Sequence, residues 1–130
     1  MTRTLIARAL LAGAIAACHS DLTGPGLPSG PGAVELRLTV PHDGEGALVI
    51  AVTGGPLDSV RTAGLDIAWL ESAPNTYGVL LRGALRDGAT LELWVPDRAL
   101  AAAYVATVTQ AAGGDTYERW NVEGYAITAP

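Results

Sequence analysis

Three parts of this sequence contain residues whose types and spacing could do chemistry: a lone cysteine, a short polar turn and an alternating segment with a tryptophan. Cys18 is the only thiol in the chain of 130 residues. His42, Asp43 and Glu45 lie close together in Pro-His-Asp-Gly-Glu-Gly, and imidazole with carboxylates can hold a metal ion. Trp94 lies in Thr-Leu-Glu-Leu-Trp-Val, and an exposed indole can stack on a sugar ring or anchor a protein partner.

The polar turn, residues 41–46, favours a hairpin over a metal site. Its Asp-Gly and Glu-Gly pairs have the composition of a turn, and three loop ligands without a second cluster make a poor metal site. The Ca²⁺-loop pattern of alternating acidic residues with a distal Glu is absent from the sequence. We therefore predict a hairpin here and no bound metal.

The constellations that catalysis requires are missing from the sequence. Ser59 does not lie in a Gly-x-Ser-x-Gly elbow, and His42 has nothing beside it that would complete a triad. The acidic residues are scattered, without long loops to build a cleft for glycoside hydrolysis. No Gly-rich loop before a helix would cradle a phosphate. We therefore expect no enzymatic activity and no cofactor.

The first 17 residues have the three parts of a secretory signal peptide. Arg3 and Arg8 form a positive region, residues 9–17 form a short apolar region, and small residues lead to the cysteine. The uninterrupted apolar run is about ten residues long, whereas a helix that spans a bilayer needs about 20. The pattern therefore predicts export rather than a membrane-spanning helix.

Residues 15–18, Ile-Ala-Ala-Cys, resemble the lipobox of bacterial lipoprotein precursors. The resemblance covers the first 18 residues, and it implies cleavage between Ala17 and Cys18 and a diacylglycerol thioether on the Cys18 thiol. It also implies that the new amine is open to acylation, and two or three acyl chains anchor a protein stably where one does not. His19, rather than Asp, follows the cysteine, which in lipoproteins of double-membraned bacteria favours the outer membrane. An ordinary cleaved signal peptide and an unexported protein are the alternatives.

The charge and composition after the cysteine limit the partners. Removal of Arg3 and Arg8 with the leader takes the formal charge from −5 to −7, and none of the basic residues is Lys. Such a surface repels phosphate backbones, so we expect no nucleic acid partner and membrane contact only through the N-terminal lipid. Because residues 19–32 are rich in Gly and Pro, we predict a signal peptide over 1–17, a lipidated flexible tether over 18–32 and a folded domain over 33–130.

The predicted domain alternates apolar and polar residues with period two. About seven or eight short strands with turn signals near every ten residues predict an all-β fold, an antiparallel β-sandwich. Residues 47–53 are apolar on both faces and predict a central strand. Residues 86–88, Arg-Asp-Gly, indicate a hairpin. Residues 97–103 predict one short helical turn that Asp97 could cap.

Tyr104 opens a late strand directly after the predicted helical turn. This placement resembles the tyrosine corner of immunoglobulin-like sandwiches, and the strand order is similar to that of cohesin-type bacterial surface sandwiches. The resemblance implies an immunoglobulin-like sandwich in which the Tyr104 hydroxyl bonds upstream backbone and pins a crossover between sheets. The alternative is a core tyrosine without that bond.

Two functions remain from different classes. We expect a non-catalytic, lipid-anchored envelope protein that serves as a structural or protein-interaction module. The alternative is a carbohydrate-binding module that uses Trp94, which points outward if Leu91, Leu93 and Val95 face the core. Tyr117 and Trp120 would extend its ligand surface if the last strand lies nearby. An envelope protein or a glycan is accordingly the expected partner, unless Trp94 instead packs under a loop or the helical turn.

The lipobox gives a direct prediction. Cys18→Ser should leave an uncleaved precursor and block incorporation of radiolabelled palmitate, because the thiol that accepts the diacylglycerol is gone. Labelling of cells that express each form measures this. Unchanged label uptake would mean that Cys18 is not the acceptor.

Overall fold

The computed structural model describes residues 28–114 and 116–129, so the predicted signal peptide, the lipobox with Cys18 and most of the tether lie outside the described residues. The described residues form nine strands and one 3₁₀ helix. The strands are β1 (Gly32–Thr39), β2 (Gly44–Thr53), β3 (Ser59–Thr62), β4 (Asp66–Ala73), β5 (Thr76–Leu85), β6 (Thr90–Val95), β7 (Val105–Gly113), β8 (Glu118–Trp120) and β9 (Ala126–Thr128), and the 3₁₀ helix is Arg98–Ala103.

The strands form two antiparallel sheets, which confirms the predicted β-sandwich. One sheet has four strands in the order β3-β6-β1-β9, and the other has five in the order β4-β5-β2-β7-β8. The strand β2 is paired with β5 over its whole length and with β7 over most of it, so it is the central strand that its sequence predicted.

The alternating residues of the two sheets meet in one core. On β2 the inward residues are fully buried, and so are the inward residues of β6; these are Leu48, Ile50, Val52, Leu91, Leu93 and Val95. Full burial of such a side chain contributes about 1.5–3 kcal/mol relative to its exposure. The same alternation directs the intervening residues of β6 to the outer face, as the sequence predicted.

The short 3₁₀ helix connects β6 of one sheet to β7 of the other, and its cap also holds the start of the domain. The Asp97 carboxylate accepts hydrogen bonds from the backbone N–H of Ala99 at 3.1 Å and of Gly30 at 3.1 Å. The first bond confirms the predicted cap. The second fixes the residues just before β1, which begins at Gly32, one residue before the predicted domain boundary.

Tyr104 joins the connection between β6 and β7 to the connection between β2 and β3. Its hydroxyl donates to the backbone carbonyl of Pro56, in the connection between β2 and β3. The expected upstream bond therefore exists. It reaches 48 residues back along the chain, whereas the bond of a tyrosine corner reaches back only a few residues. The ring lies close against Gly55, where an added Cβ would be 2.7 Å from the hydroxyl oxygen, so a side chain at this position would displace the ring.

The two Asp-Gly turns are not hairpins, which corrects that part of the sequence prediction. The turn at Asp43 connects β1 to β2 and the turn at Asp87 connects β5 to β6, and in both cases the chain changes sheet. The turns are joined to each other instead: Asp43 Oδ1 accepts from the N–H of Asp87 at 3.0 Å, and Asp87 Oδ1 accepts from the N–H of Val40 at 3.0 Å. Asp-Gly fixes a tight turn, but the packing decides which sheet the next strand enters.

The hydroxyl of Tyr77 gives a stability prediction. It is buried, it accepts from the N–H of Leu57 at 3.0 Å, and burial raises the pKa of its phenol. Tyr77→Phe leaves that buried N–H without a partner and should lower the free energy of unfolding by about 1–3 kcal/mol in urea titrations. The matched control is Tyr117→Phe, whose hydroxyl is exposed, and it should change the midpoint little. Equal effects of the two variants would contradict the prediction.

Candidate functional site

Trp94 lies on the outer face of the four-stranded sheet, as predicted, but its ring is engaged by neighbours. The guanidinium of Arg61 lies 4.5 Å from the ring centroid, in cation–π geometry. The indole Nε1 donates to Glu92 Oε2 at 3.1 Å. Because one ring face and the only polar atom of the indole are occupied, a sugar would have to displace Arg61 or use what remains of the half-buried ring.

Tyr117 and Trp120 do not extend the surface of Trp94, because β8 adds to the five-stranded sheet. Tyr117 lies in the β7–β8 turn with a φ of 51°, and its hydroxyl donates to Glu45 Oε1 at 2.7 Å. That carboxylate raises the pKa of the Tyr117 phenol. The three aromatic residues that the sequence grouped as one ligand surface are therefore divided between two sheets.

The ring of Trp120 covers the end of the core rather than facing a ligand. It lies directly over Gly113, where any Cβ would collide with the indole, and it meets His42 edge-on with 5.1 Å between ring centroids. An aromatic side chain that covers a glycine on the neighbouring strand stabilises a sheet edge. Trp120 thus has a structural position at the end of the sandwich.

The polar turn uses its side chains for structure. Asp43 bonds the neighbouring turn and Glu45 accepts from Tyr117, which leaves His42 against the Trp120 ring. Within residues 28–114 and 116–129, no three His, Cys, Asp or Glu side chains are grouped so that they could hold a metal ion.

The outer face of the five-stranded sheet is the largest feature that the sequence analysis missed. The outward residues in the middle of β4, β5 and β2 are apolar, and we call them the apolar face: Ala47, Val49, Ala51, Ala68, Leu70 and Leu80. Polar residues on the same side of the sheet border them: Glu45, Thr53, Asp66, Thr76 and Arg82. Leu70 is 62% exposed and Leu80 is 43% exposed. The strand register places Ala68, Leu80 and Val49 side by side across three strands. An ion pair between Arg82 and Asp66, 3.2 Å long, lies at the edge of this face.

The signal for the apolar face was present in β2. A strand that is apolar on both sides usually has both sides covered by other elements. Residues 47–53 have that pattern, which predicts the central position of β2 and is also consistent with an apolar outer side. Among the described residues, no second layer covers the outer side of this strand; Tyr117 and Arg119 flank Ala47 and Val49, which are half-buried.

A cavity of about 620 Å³ opens on one flank of the sandwich, between the two sheets. It is lined by the first half of β1, the start of β7, the 3₁₀ helix and β9. Its floor includes Val34, Leu36 and Leu93, so the interior is apolar. We call this region the open flank.

Comparison with known proteins gives no family assignment. The chain matches no protein-family model, no curated protein and no solved structure. Within the described part of the chain, no helix has the length and apolar character needed to cross a membrane.

The surroundings of Trp94 predict the outcome of a glycan array. We expect the wild-type domain to bind no glycan on the array above background, because Arg61 covers the ring face that a sugar would stack on. Arg61→Ala uncovers that face, so glycan binding by this variant is the matched comparison for the wild type. Sugar binding by the wild type that is lost in Trp94→Ala would contradict this expectation and favour a carbohydrate-binding module.

Proposed function

We propose that this protein is a non-catalytic protein-interaction module of the cell envelope, held at the membrane by lipid on Cys18. In this proposal the domain docks a protein partner through the apolar face. The lipobox-like residues 15–18 support the anchor, and His19 favours the outer membrane. The polar, Gly- and Pro-rich residues that follow would separate the domain from the lipid.

The observation that carries the proposal is the exposure of Leu70 and Leu80 in the apolar face. Three strands about 4.8 Å apart, each contributing about five residues of 3.4 Å, give the patch an area of roughly 240 Å². This is a little below the range of about 300–600 Å² for the largest apolar patch on a typical monomer, and such patches are often functional. A flat patch of aliphatic side chains offers neither the concave shape nor the convergent polar groups of a small-molecule site.

The charge of the chain indicates what kind of protein would fit. Interfaces combine an apolar centre with a polar rim, and here Leu70 and Leu80 form the centre while Asp66 and Arg82 lie at the rim. The chain from Cys18 onward has a formal charge of −7. A partner with an apolar patch and an excess of Lys or Arg around it would be attracted and oriented by this charge.

Site-specific photo-cross-linking in the native host tests the proposal. A benzophenone amino acid at Leu80 should give one protein adduct, because that side chain lies in the docking surface, and the same amino acid at Thr90 on the other sheet should give none. Leu70→Asp in the Leu80-labelled chain should lower the adduct yield at least about fivefold, since it places a charge beside the contact. The adduct is measured by immunoblot and identified by mass spectrometry.

Two outcomes would contradict the proposal. One is equal adduct yield at Leu80 and Thr90, which would indicate random collision. The other is an adduct that does not respond to Leu70→Asp. The variant Cys18→Ser tests the anchor separately, because it should release the domain from membranes without changing its cross-linking surface.

A further inference from the structure

The open flank has unpaired strand edges on both sheets. The edge strand β9 pairs only with Arg37–Thr39 of β1, and β8 pairs only with Ala111–Gly113 of β7. Residues 33–36 of β1 and residues 105–110 of β7 therefore have no strand on that side among the described residues. Residues 33–36 of β1 and residues 105–106 of β7 line the same cavity of about 620 Å³.

The register shows which backbone groups on β1 are free. Arg37 and Thr39 face β9, whereas the N–H of Leu38 donates to Ala89 on the β6 side at 2.8 Å. Because the hydrogen-bonding direction alternates along an antiparallel strand, the N–H and C=O of Ala33 and Glu35 point to the open flank. Unpaired strand edges of this kind are templates for another strand.

The cavity behind this edge has the shape and chemistry to receive the side chains of an added strand. Val34 and Leu36 point inward from β1, Leu93 forms part of the floor and Ala106 lines the opposite sheet. The 3₁₀ helix closes one end, and Ile127 and Ala129 lie at the other. The edge of β1 between these ends, residues 33–36, is about 14 Å long at 3.4 Å per residue.

We propose that the open flank binds an extended segment of a partner polypeptide, which adds to β1 as an antiparallel strand in line with β9. Main-chain hydrogen bonds to Ala33 and Glu35 would give affinity, and apolar side chains on alternate residues would fill the cavity. This site is separate from the apolar face and does not depend on the proposed docking there.

Charge complementarity specifies the outward side chain of the added strand. Glu35 is exposed and lies directly opposite Glu92 of β6, so two carboxylates face each other in the ladder. Arg61, opposite Glu92 on its other side, lies over the Trp94 ring. A Lys or Arg on the added strand would lie opposite Glu35, and opposite charges in such cross-strand pairs are favourable.

Other occupants fit the open flank less well. Residues 19–27 of this chain contain Gly-Pro-Gly, which is unfavourable in a strand. An acyl chain or other apolar small molecule could enter the cavity, but it would leave the backbone groups of Ala33 and Glu35 unpaired.

Amide hydrogen exchange with a designed peptide tests the proposal. The probe is acetyl-Val-Lys-Val-Thr-Val-amide at 1 mM, which places Lys opposite Glu35 and valines opposite Val34 and Leu36. Strand addition should slow exchange of the Ala33 and Glu35 amides at least about tenfold. The amides of Val34 and Leu36, which bond to β6, should change little.

Matched variants distinguish strand addition from other binding. Ala33→Pro removes an N–H that faces the flank and should abolish protection at Glu35, while thermal unfolding checks that the edge still folds. Glu35→Lys should weaken the Lys peptide about threefold to fivefold and favour a peptide with Glu in its place. Glu118→Lys makes the same charge change on β8 and should leave both affinities unchanged.

Three results would overturn the proposal. The first is the absence of protection at Ala33 and Glu35 with 1 mM peptide. The second is equal peptide binding by wild type and Ala33→Pro. The third is that laurate, used as an acyl-chain probe, binds and perturbs Leu93 whereas the peptide perturbs no residue of the flank. The cavity would then be a lipid site.

Discussion

The mutual burial of two inner sheet faces is the constraint on which the rest of this structure depends. The inward side chains of β2 and β6 have essentially no exposed surface, and each is in the core only because a second sheet covers it. A single sheet with this sequence would expose one whole apolar face to water. Four of the connections that move the chain between sheets are joined in pairs by specific contacts: Tyr104 with Pro56, and Asp43 with Asp87.

The same constraint explains where the candidate surfaces lie. A sandwich covers inner faces, so the outer face of the five-stranded sheet stays open although Leu70 and Leu80 lie on it. The strands β8 and β9 are each three residues long, so they complete only part of the edges of β7 and β1. The apolar face is thus a place where apolar surface is left uncovered among the described residues, and the open flank is one where strand backbone groups are left unpaired.

Much of the fold could be predicted from local patterns, and the exceptions have identifiable causes. The alternation of β6 placed Leu93 inside and Trp94 outside, and Asp97 capped the helix as its type and position indicated. The hairpin predictions at both Asp-Gly turns were wrong, because a turn sequence sets the local backbone and not the sheet that the next strand joins. Trp94 and Trp120 lie on different sheets for the same reason, since pairing between distant strands depends on the whole core.

The sequence by itself determined the all-β class and the inward and outward side of the strand residues, because these depend on residue type and short-range period. The tertiary structure decided which strands are neighbours, which aromatic rings are already occupied, and where apolar surface and strand edges remain uncovered. The physical reason is that burial and hydrogen-bond pairing in a sandwich are set between residues far apart in the chain, such as β1 with β6 and β2 with β7. Short-range sequence patterns contain no information on those distant pairings.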